Sequence, residues 1–169
     1  MKFSEITKFT QRPSYHVNVG LDYIENWIQD NINELNLQLN PDFQRGHVWT
    51  KEQQTAYMEY LLQGGQSGRD FYFNKIGGML HFTDLKSEFV CVDGLQRITA
   101  IFAFIHNEIP VFGHYCNQFD GLRMAGVMFS MYVNDLKSKK DVLKWYIEMN
   151  SGGTPHTKEE IERVRKMME

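Results

Sequence analysis

The stretch Phe89–His106, FVCVDGLQRITAIFAFIH, decides the fold of this chain. It opens with a short apolar run rich in β-branched and aromatic residues, breaks at Asp93-Gly94, and continues as a segment that is apolar almost all the way round. This pattern predicts a buried strand, a tight turn and a buried helix. On a helical wheel most of the helix surface is covered by Leu95, Ile98, Ile101, Phe102 and Ile105, and part of the rest by Phe104.

The polar residues of this stretch crowd the start of the predicted helix. Asp93, Gln96 and Arg97 lie where unpaired backbone N–H groups and the positive end of the helix dipole favour an anion. The forked donors of Arg97 suit phosphate oxygens. The alternative is structural: Asp93 caps the helix, Gly94 makes the turn and Arg97 pairs with a surface carboxylate.

The composition indicates one soluble globular domain. The chain has 169 residues, of which 42% are hydrophobic and 23% are charged. Its net charge of −3 gives no general attraction to nucleic acid or membranes, so any polyanion contact must come from a local patch. Two Cys make neither a disulfide framework nor a zinc site. With no long apolar run and no signal-peptide core, we expect a cytoplasmic protein.

A second polar loop, Pro41–Trp49 (PDFQRGHVW), lies between regular elements earlier in the chain. After it, Thr50 and Gln53 form a predicted capping box that opens a helix. The loop carries an Arg-containing motif, and His47 inside it is a further candidate functional residue. Alternatively, Phe43 and Trp49 are core residues that pin the loop, Arg45 is solvated and His47 is an exposed loop residue.

The rest of the chain alternates between helical and strand patterns. We predict helices over 22–33, from the Thr50 cap to the Gly64-Gly65 stop, from Ser138 to about Met149, and over 158–168 behind a Thr157/Glu160 capping box. We predict further strands over 14–19, 35–39, 71–75, 79–83 beyond a turn at Gly77-Gly78, 109–112 and 128–133. No repeat or linker is evident. The expected fold is a single α+β domain in which a small mixed sheet packs against several helices.

Two Gln-Arg pairs carry a resemblance to a known family. P-D-F-Q-R-G-x-V-W at Pro41–Trp49 and V-D-G-x-Q-R at Val92–Arg97 resemble the GmrS-type nucleotide-binding domain of modification-dependent restriction systems, which belongs to the ParB/sulfiredoxin-like superfamily. The resemblance covers about 39–113, and Asn150-x-Gly-Gly with Thr157 and Glu160 is similar to an element that follows in that family. It implies one domain over 1–169, with a C-terminal helical part at 138–169.

Two departures from the family pattern are visible. Leu95 stands where the usual motif has a second Gln, which affects any contact of that side chain but not the turn. Nothing in the chain resembles the His-Asn-His metal motif of the C-terminal nuclease half, so DNA cleavage does not follow from the resemblance.

The resemblance implies a nucleoside-triphosphate (NTP) site, with both arginines facing one pocket. The implied phosphate-facing turn consists of Asp93, Gly94, Gln96 and Arg97, with Gln44 and Arg45 opposite and Asn150 as a further nucleotide contact. Asp93, Arg97 and Arg45 are the implied catalytic residues. Asp93 and Glu160 are candidate ligands for Mg²⁺ or positioners of water, and each is alternatively a helix cap.

The expected function is NTP binding with hydrolysis or phosphotransfer, in the conflict between bacteria and viruses or in modified-DNA metabolism. The chain would then be an NTPase or a nucleotide-dependent phosphotransferase. Expected partners are an NTP, modified DNA, or a nuclease or defence protein, and no membrane. One alternative is a non-catalytic nucleotide-gated or DNA-binding module that regulates a partner. Another is a nuclease of the same superfamily, which would need two or three converging carboxylates.

Overall fold

A computed structural model describes residues 2, 15–76, 88–120, 126–150 and 158–168. Three sequence predictions lie outside these residues: the Gly77-Gly78 turn, the strand over 79–83 and the cap at Thr157. In the described part no helix is long and apolar enough to cross a membrane.

Five helices and five strands make up the described fold. The helices are α1 (Ile24–Leu35), α2 (Lys51–Leu62), α3 (Leu95–Ile105), α4 (Lys139–Asn150) and α5 (Lys158–Lys166). The strands are β1 (Tyr15–Gly20), β2 (Leu37–Gln38), β3 (Asp70–Lys75), β4 (Phe89–Asp93) and β5 (Met128–Asn134). A short 3₁₀ helix spans Cys116–Gln118.

The strands form one mixed sheet in the order β1-β5-β3-β4-β2. The pairs β1/β5 and β3/β4 are antiparallel, whereas β3/β5 and β2/β4 are parallel. The predicted α+β class with a small mixed sheet is therefore confirmed.

Strand β4 is buried on both faces. Successive side chains of a strand point to opposite faces of the sheet, and each face of β4 meets a different core. Cys91 belongs to the core that the sheet shares with α1, α2 and α3. Val90 and Val92 belong to a second core with α4 and α5. The strand that leads into the second motif is thus fixed from both sides.

Helix α3 is a core helix, as predicted, and most of its predicted apolar surface is buried. Ala100 and Ala103 are buried, whereas Phe102 and Ile105 are only partly buried. Helix α3 packs against α2.

Two predicted strands are corrected by the structure. The strand expected over 35–39 is only Leu37–Gln38, because α1 continues to Leu35 and Asn36 ends it in the left-handed region at φ 54°. The strand expected over 109–112 is absent from the described sheet. Val111 exchanges backbone hydrogen bonds only with His114, around a turn in which Phe112 has φ 50°. Ile109 and Val111 are buried without a sheet ladder, whereas Phe112 is exposed.

The two predicted helix caps that lie within the described residues, at Thr50 and Ser138, are confirmed. Thr50 and Gln53 form both halves of the capping box of α2. Ser138 Oγ accepts a hydrogen bond from the backbone N–H of Asp141 at 3.1 Å at the start of α4. Local side-chain chemistry therefore fixes both helix starts.

Candidate functional site

A pocket of about 200 Å³ lies where β4 passes into α3. Its floor is the β4–α3 turn, one wall is the Pro41–Trp49 loop, and the other is the C-terminal end of α4. The lining residues are Gln44, Arg45, Trp49, Val92, Asp93, Gly94, Leu95, Gln96, Arg97, Tyr146, Met149 and Asn150. The two arginines of the separate motifs therefore line one pocket, as predicted.

Gly94 determines the geometry of the floor. It is the N-cap residue of α3 and has φ 134°, a conformation that L side chains rarely adopt. A Cβ on Gly94 would lie 2.5 Å from Cδ1 of Phe71. The structural alternative in which Asp93 caps this helix is wrong, because Gly94 takes the cap position and no described side chain caps it.

Arg97 is held in place by three contacts. Its Nη2 donates to Asp93 Oδ2 at 2.6 Å and its Nη1 donates to the carbonyl of Asp70 at 2.8 Å. Its guanidinium carbon lies 5.1 Å from the centroid of the Phe71 ring. Arg97 does pair with a carboxylate, as the structural alternative expected, but this carboxylate is that of Asp93, which lines the pocket. The side chain is 15% exposed, so the contacts orient the guanidinium without closing it off.

Arg45 is less constrained than Arg97. Its Nη1 lies 3.8 Å from Oε2 of Glu160 on α5, which is an ion-pair distance but too long for a good hydrogen bond. Both candidate metal-binding carboxylates, Asp93 and Glu160, therefore sit beside an arginine. The described residues contain no cluster of three or more His, Cys, Asp or Glu that could hold a metal.

The two motif glutamines join the two motifs together. Gln44 Nε2 donates to the carbonyl of Cys91 at 2.8 Å. Gln96 Nε2 donates to the carbonyl of Gly46 at 2.6 Å, and Gln96 Oε1 accepts from the N–H groups of Val48 and Trp49 at 2.8 and 3.1 Å. The structure gives both glutamines a positioning role. Their contact with a nucleotide stays a prediction.

The other residues of the first motif divide between core, pocket and surface. Phe43 is a core residue, since it is 1% exposed. Trp49 lines the pocket. His47 is exposed, lies outside the pocket lining, and places its Nε2 2.9 Å from Nε2 of the buried Gln54. The structural alternative is therefore correct for Phe43, which is a core residue, and for His47, which is an exposed loop residue.

Sequence reasoning missed the α4 wall of the pocket. Asn150 was predicted, and its Nδ2 donates to the carbonyl of Tyr146 at 2.8 Å. Tyr146 lies one turn before Asn150 on the same helical face, so this spacing was an available signal. Met149 lies three residues after Tyr146 and also lines the pocket. Burial raises the pKa of Tyr146 to about 12, although the nearby Arg45 opposes that rise. The hydroxyl therefore stays protonated at neutral pH.

Arg163 on α5 was also missed. Its guanidinium donates to the carbonyls of Asp42 and Phe43, each at 2.9 Å, and of Gln44 at 3.2 Å. No sequence signal marked it, because carbonyl partners are not encoded by residue type. Helix α5 thus anchors the loop that presents Arg45.

Fold and pocket together define a class of small α+β domains in which an arginine-lined pocket opens at the start of a buried helix. The family model for the N-terminal domain of the GmrSD restriction endonuclease matches residues 24–124, and the chain belongs to this family. The match includes both Gln-Arg motifs and excludes α4 and α5. No curated protein and no solved structure matches the chain.

Proposed function

We propose that this domain binds a nucleoside triphosphate in the β4–α3 pocket and hydrolyses it or transfers its phosphoryl group, within a restriction system that acts against viruses. The observation that carries the proposal is the convergence of Arg45 and Arg97 from two separate motifs on one pocket. Two arginines at one pocket are hard to explain by solvation, since each would be better hydrated on the open surface.

The chemistry of the pocket suits phosphate. Phosphoryl transfer depends on charge neutralisation and positioning more than on covalent catalysis. The start of α3 supplies backbone N–H groups, and its N-cap residue Gly94 has no side chain to cap them. Arg97 is pre-oriented, whereas the ion pair that Arg45 forms with a described residue, Glu160, is 3.8 Å long and could be exchanged for phosphate. The triphosphate would therefore meet one fixed and one adaptable guanidinium.

The carboxylates beside the two arginines are the candidate ligands for a magnesium ion that would accompany the nucleotide. Mg²⁺ is usually held by one or two protein carboxylates together with substrate phosphates and water. Asp93, which lines the pocket, and Glu160, which lies outside the lining, would have to exchange their arginine contacts to hold it. The ion would then neutralise phosphate charge. The two or three converging carboxylates that a metal-dependent nuclease would need are not found as a cluster among the described residues.

A second candidate is a nucleotide-gated module that binds without turnover. Asp93 is the one acidic residue among the described residues that line the pocket, and it is hydrogen-bonded to Arg97. A water molecule attacking the terminal phosphate would therefore lack a free carboxylate as general base. The lack of a free general base favours a regulatory module that binds the nucleotide without hydrolysing it.

Product analysis with each of the four NTPs tests the proposal and separates the candidates. The purified protein is incubated with each NTP and Mg²⁺, and the products are resolved by chromatography, with EDTA as the metal control. Turnover that is lost in Arg45→Gln supports the enzyme. Saturable binding without products supports the regulatory module. Absence of both in the parent protein would refute nucleotide binding.

A further inference from the structure

Trp49 presents an aromatic surface at the pocket that the phosphate chemistry leaves unused. The indole is partly exposed, and its ring centroid lies 5.5 Å from that of Tyr57 at an interplanar angle of 65°. In the described part of the chain this is its one ring contact. An edge-to-face contact occupies at most one face of an indole, so a flat ring has a second face to use.

The position of Trp49 is well fixed. Its backbone N–H donates to Gln96 Oε1 at 3.1 Å, which ties it to the first turn of α3. Its neighbour Tyr57 is itself held by a 2.8 Å hydrogen bond from its hydroxyl to the carbonyl of Gly68. A preformed aromatic surface binds a ring with little loss of conformational entropy.

The opposite wall is a poorer stacking surface. Tyr146 is 5% exposed, and its ring packs against Phe43 with centroids 5.2 Å apart. Met149 is a flexible thioether chain. Among the pocket residues Trp49 is therefore best suited to stack on a planar ligand.

We infer that Trp49 is the stacking surface for the nucleobase of the bound NTP. This inference rests on the proposed function, with the phosphates placed at Arg45 and Arg97. The pocket of about 200 Å³ is smaller than the roughly 300–1,000 Å³ of sites that enclose a whole ligand. The base therefore lies at the open edge of the pocket, where Trp49 is exposed.

Base selectivity follows from the hydrogen bonds of the pocket amides. Gln44, Gln96 and Asn150 each donate to a backbone carbonyl, so their capacity to read the edge of a base is reduced. Stacking accepts every base because each has a π face. Purines have the larger face, so ATP and GTP bind more tightly than CTP and UTP, with little difference between the two purine nucleotides.

Fluorescence and calorimetry test this inference with the intact chain. Non-hydrolysable ATP and CTP analogues with Mg²⁺ are titrated into the parent, Trp49→Leu, Trp49→Phe and the neighbouring control Val48→Ala, whose side chain is exposed and outside the pocket lining. Trp27 and Trp145 are 8% and 6% exposed and lie outside the pocket, so quenching on binding reports Trp49.

The expected pattern is specific. Trp49→Leu binds the ATP analogue about 5- to 150-fold more weakly, which is the range for loss of one base–aromatic stack, and Trp49→Phe lies between it and the parent. Val48→Ala binds as the parent does. ATP quenches the parent fluorescence, and this signal is missing in Trp49→Phe although calorimetry still detects binding.

Two results would overturn the inference while leaving the proposed function intact. One is a folded Trp49→Leu that binds as tightly as Val48→Ala. The other, which holds even if Trp49→Leu does not fold, is saturation of the parent without any change in tryptophan fluorescence. A parent that binds none of the NTPs would instead remove the proposed function, and the base site with it.

Discussion

Gln44 donates a 2.8 Å hydrogen bond to the backbone carbonyl of Cys91, in the strand that leads into the second motif. In the opposite direction, the side chain of Gln96 in the second motif hydrogen-bonds to the backbone of Gly46, Val48 and Trp49 in the first. The two motifs are therefore one structural unit. Their glutamines hold the loops and their arginines face the pocket.

Replacing Gln96 by Ala should destabilise the domain by about 1–3 kcal/mol, because it leaves partly buried backbone groups of the first loop without a partner. Urea denaturation measures the change. Gln63→Ala is the matched control, since Gln63 is exposed just beyond α2 and should change stability by less than about 0.5 kcal/mol. Equal stability of the two variants would contradict the positioning role of Gln96.

Gly94→Ala should be far more damaging than Gly64→Ala. Both glycines have positive φ, but only the Cβ at Gly94 meets Phe71, whereas nothing lies within 4 Å of a Cβ at Gly64. Backbone strain alone costs about 1–3 kcal/mol, which Gly64→Ala measures at φ 91°, and Gly94→Ala adds the clash to the strain at φ 134°. We expect Gly94→Ala to lose at least about 1 kcal/mol more in thermal or urea melts. Indistinguishable melts would show that the turn can move away from Phe71.

Arg163→Ala should loosen the loop that carries Arg45, because it removes the donors to the carbonyls of Asp42, Phe43 and Gln44. Amide hydrogen exchange across 42–49 should become faster, and NTP affinity should fall. Arg165→Ala, an exposed residue on the same helix, serves as the control and should change neither. Unchanged exchange in Arg163→Ala would show that α5 does not support the loop.

The buried thiol of Cys91 should make stability fall at alkaline pH. Burial, reinforced by Asp93, raises its pKa from 9.0 to about 12. The unfolded thiol ionises from about pH 9 while the folded one stays protonated, so its contribution is complete below pH 9 and is lost as pH rises towards 12. The slope is up to roughly 1.4 kcal/mol per pH unit.

Urea midpoints at pH 8 and pH 10.5 test this slope. Cys91→Ala should be less stable at pH 8 but should lose less stability than the parent on going to pH 10.5. Cys116→Ala, at a partly exposed thiol, should follow the parent more closely. Parallel pH profiles for the parent and Cys91→Ala would contradict the raised pKa.

Much of the architecture was predictable because it is encoded locally. The β4–α3 stretch, the α2 capping box and the Ser138 cap follow from periodicity and side-chain chemistry. The failed strand at 109–112 shows the limit, since Ile109 and Val111 are buried beside a turn and not in a sheet. The site divides in the same way. Arg45 and Arg97 were identified from their motifs, whereas Arg163 binds main-chain carbonyls that any sequence could provide.

The central claim is that the arginine pocket binds NTP phosphates, and Arg45 offers its most direct test. Arg97 also contacts Asp70, Asp93 and Phe71, so its truncation would disturb the fold as well as the site. Within the described part of the chain, the ion pair of Arg45 is the 3.8 Å contact with Glu160, so Arg45→Gln should melt close to the parent. Ile101→Ala supplies the opposite control, because this fully buried residue should cost about 2–5 kcal/mol of stability without touching the pocket.

The decisive measurement is calorimetric titration of a non-hydrolysable ATP analogue with Mg²⁺ into the parent, Arg45→Gln and the exposed control Arg165→Gln. A charge-assisted phosphate contact is worth about 1.5–3 kcal/mol, so the account predicts a roughly ten- to hundredfold weaker Kd for Arg45→Gln and an unchanged one for Arg165→Gln. Equal affinity of a folded Arg45→Gln and the parent would contradict the claim that this pocket holds the phosphates.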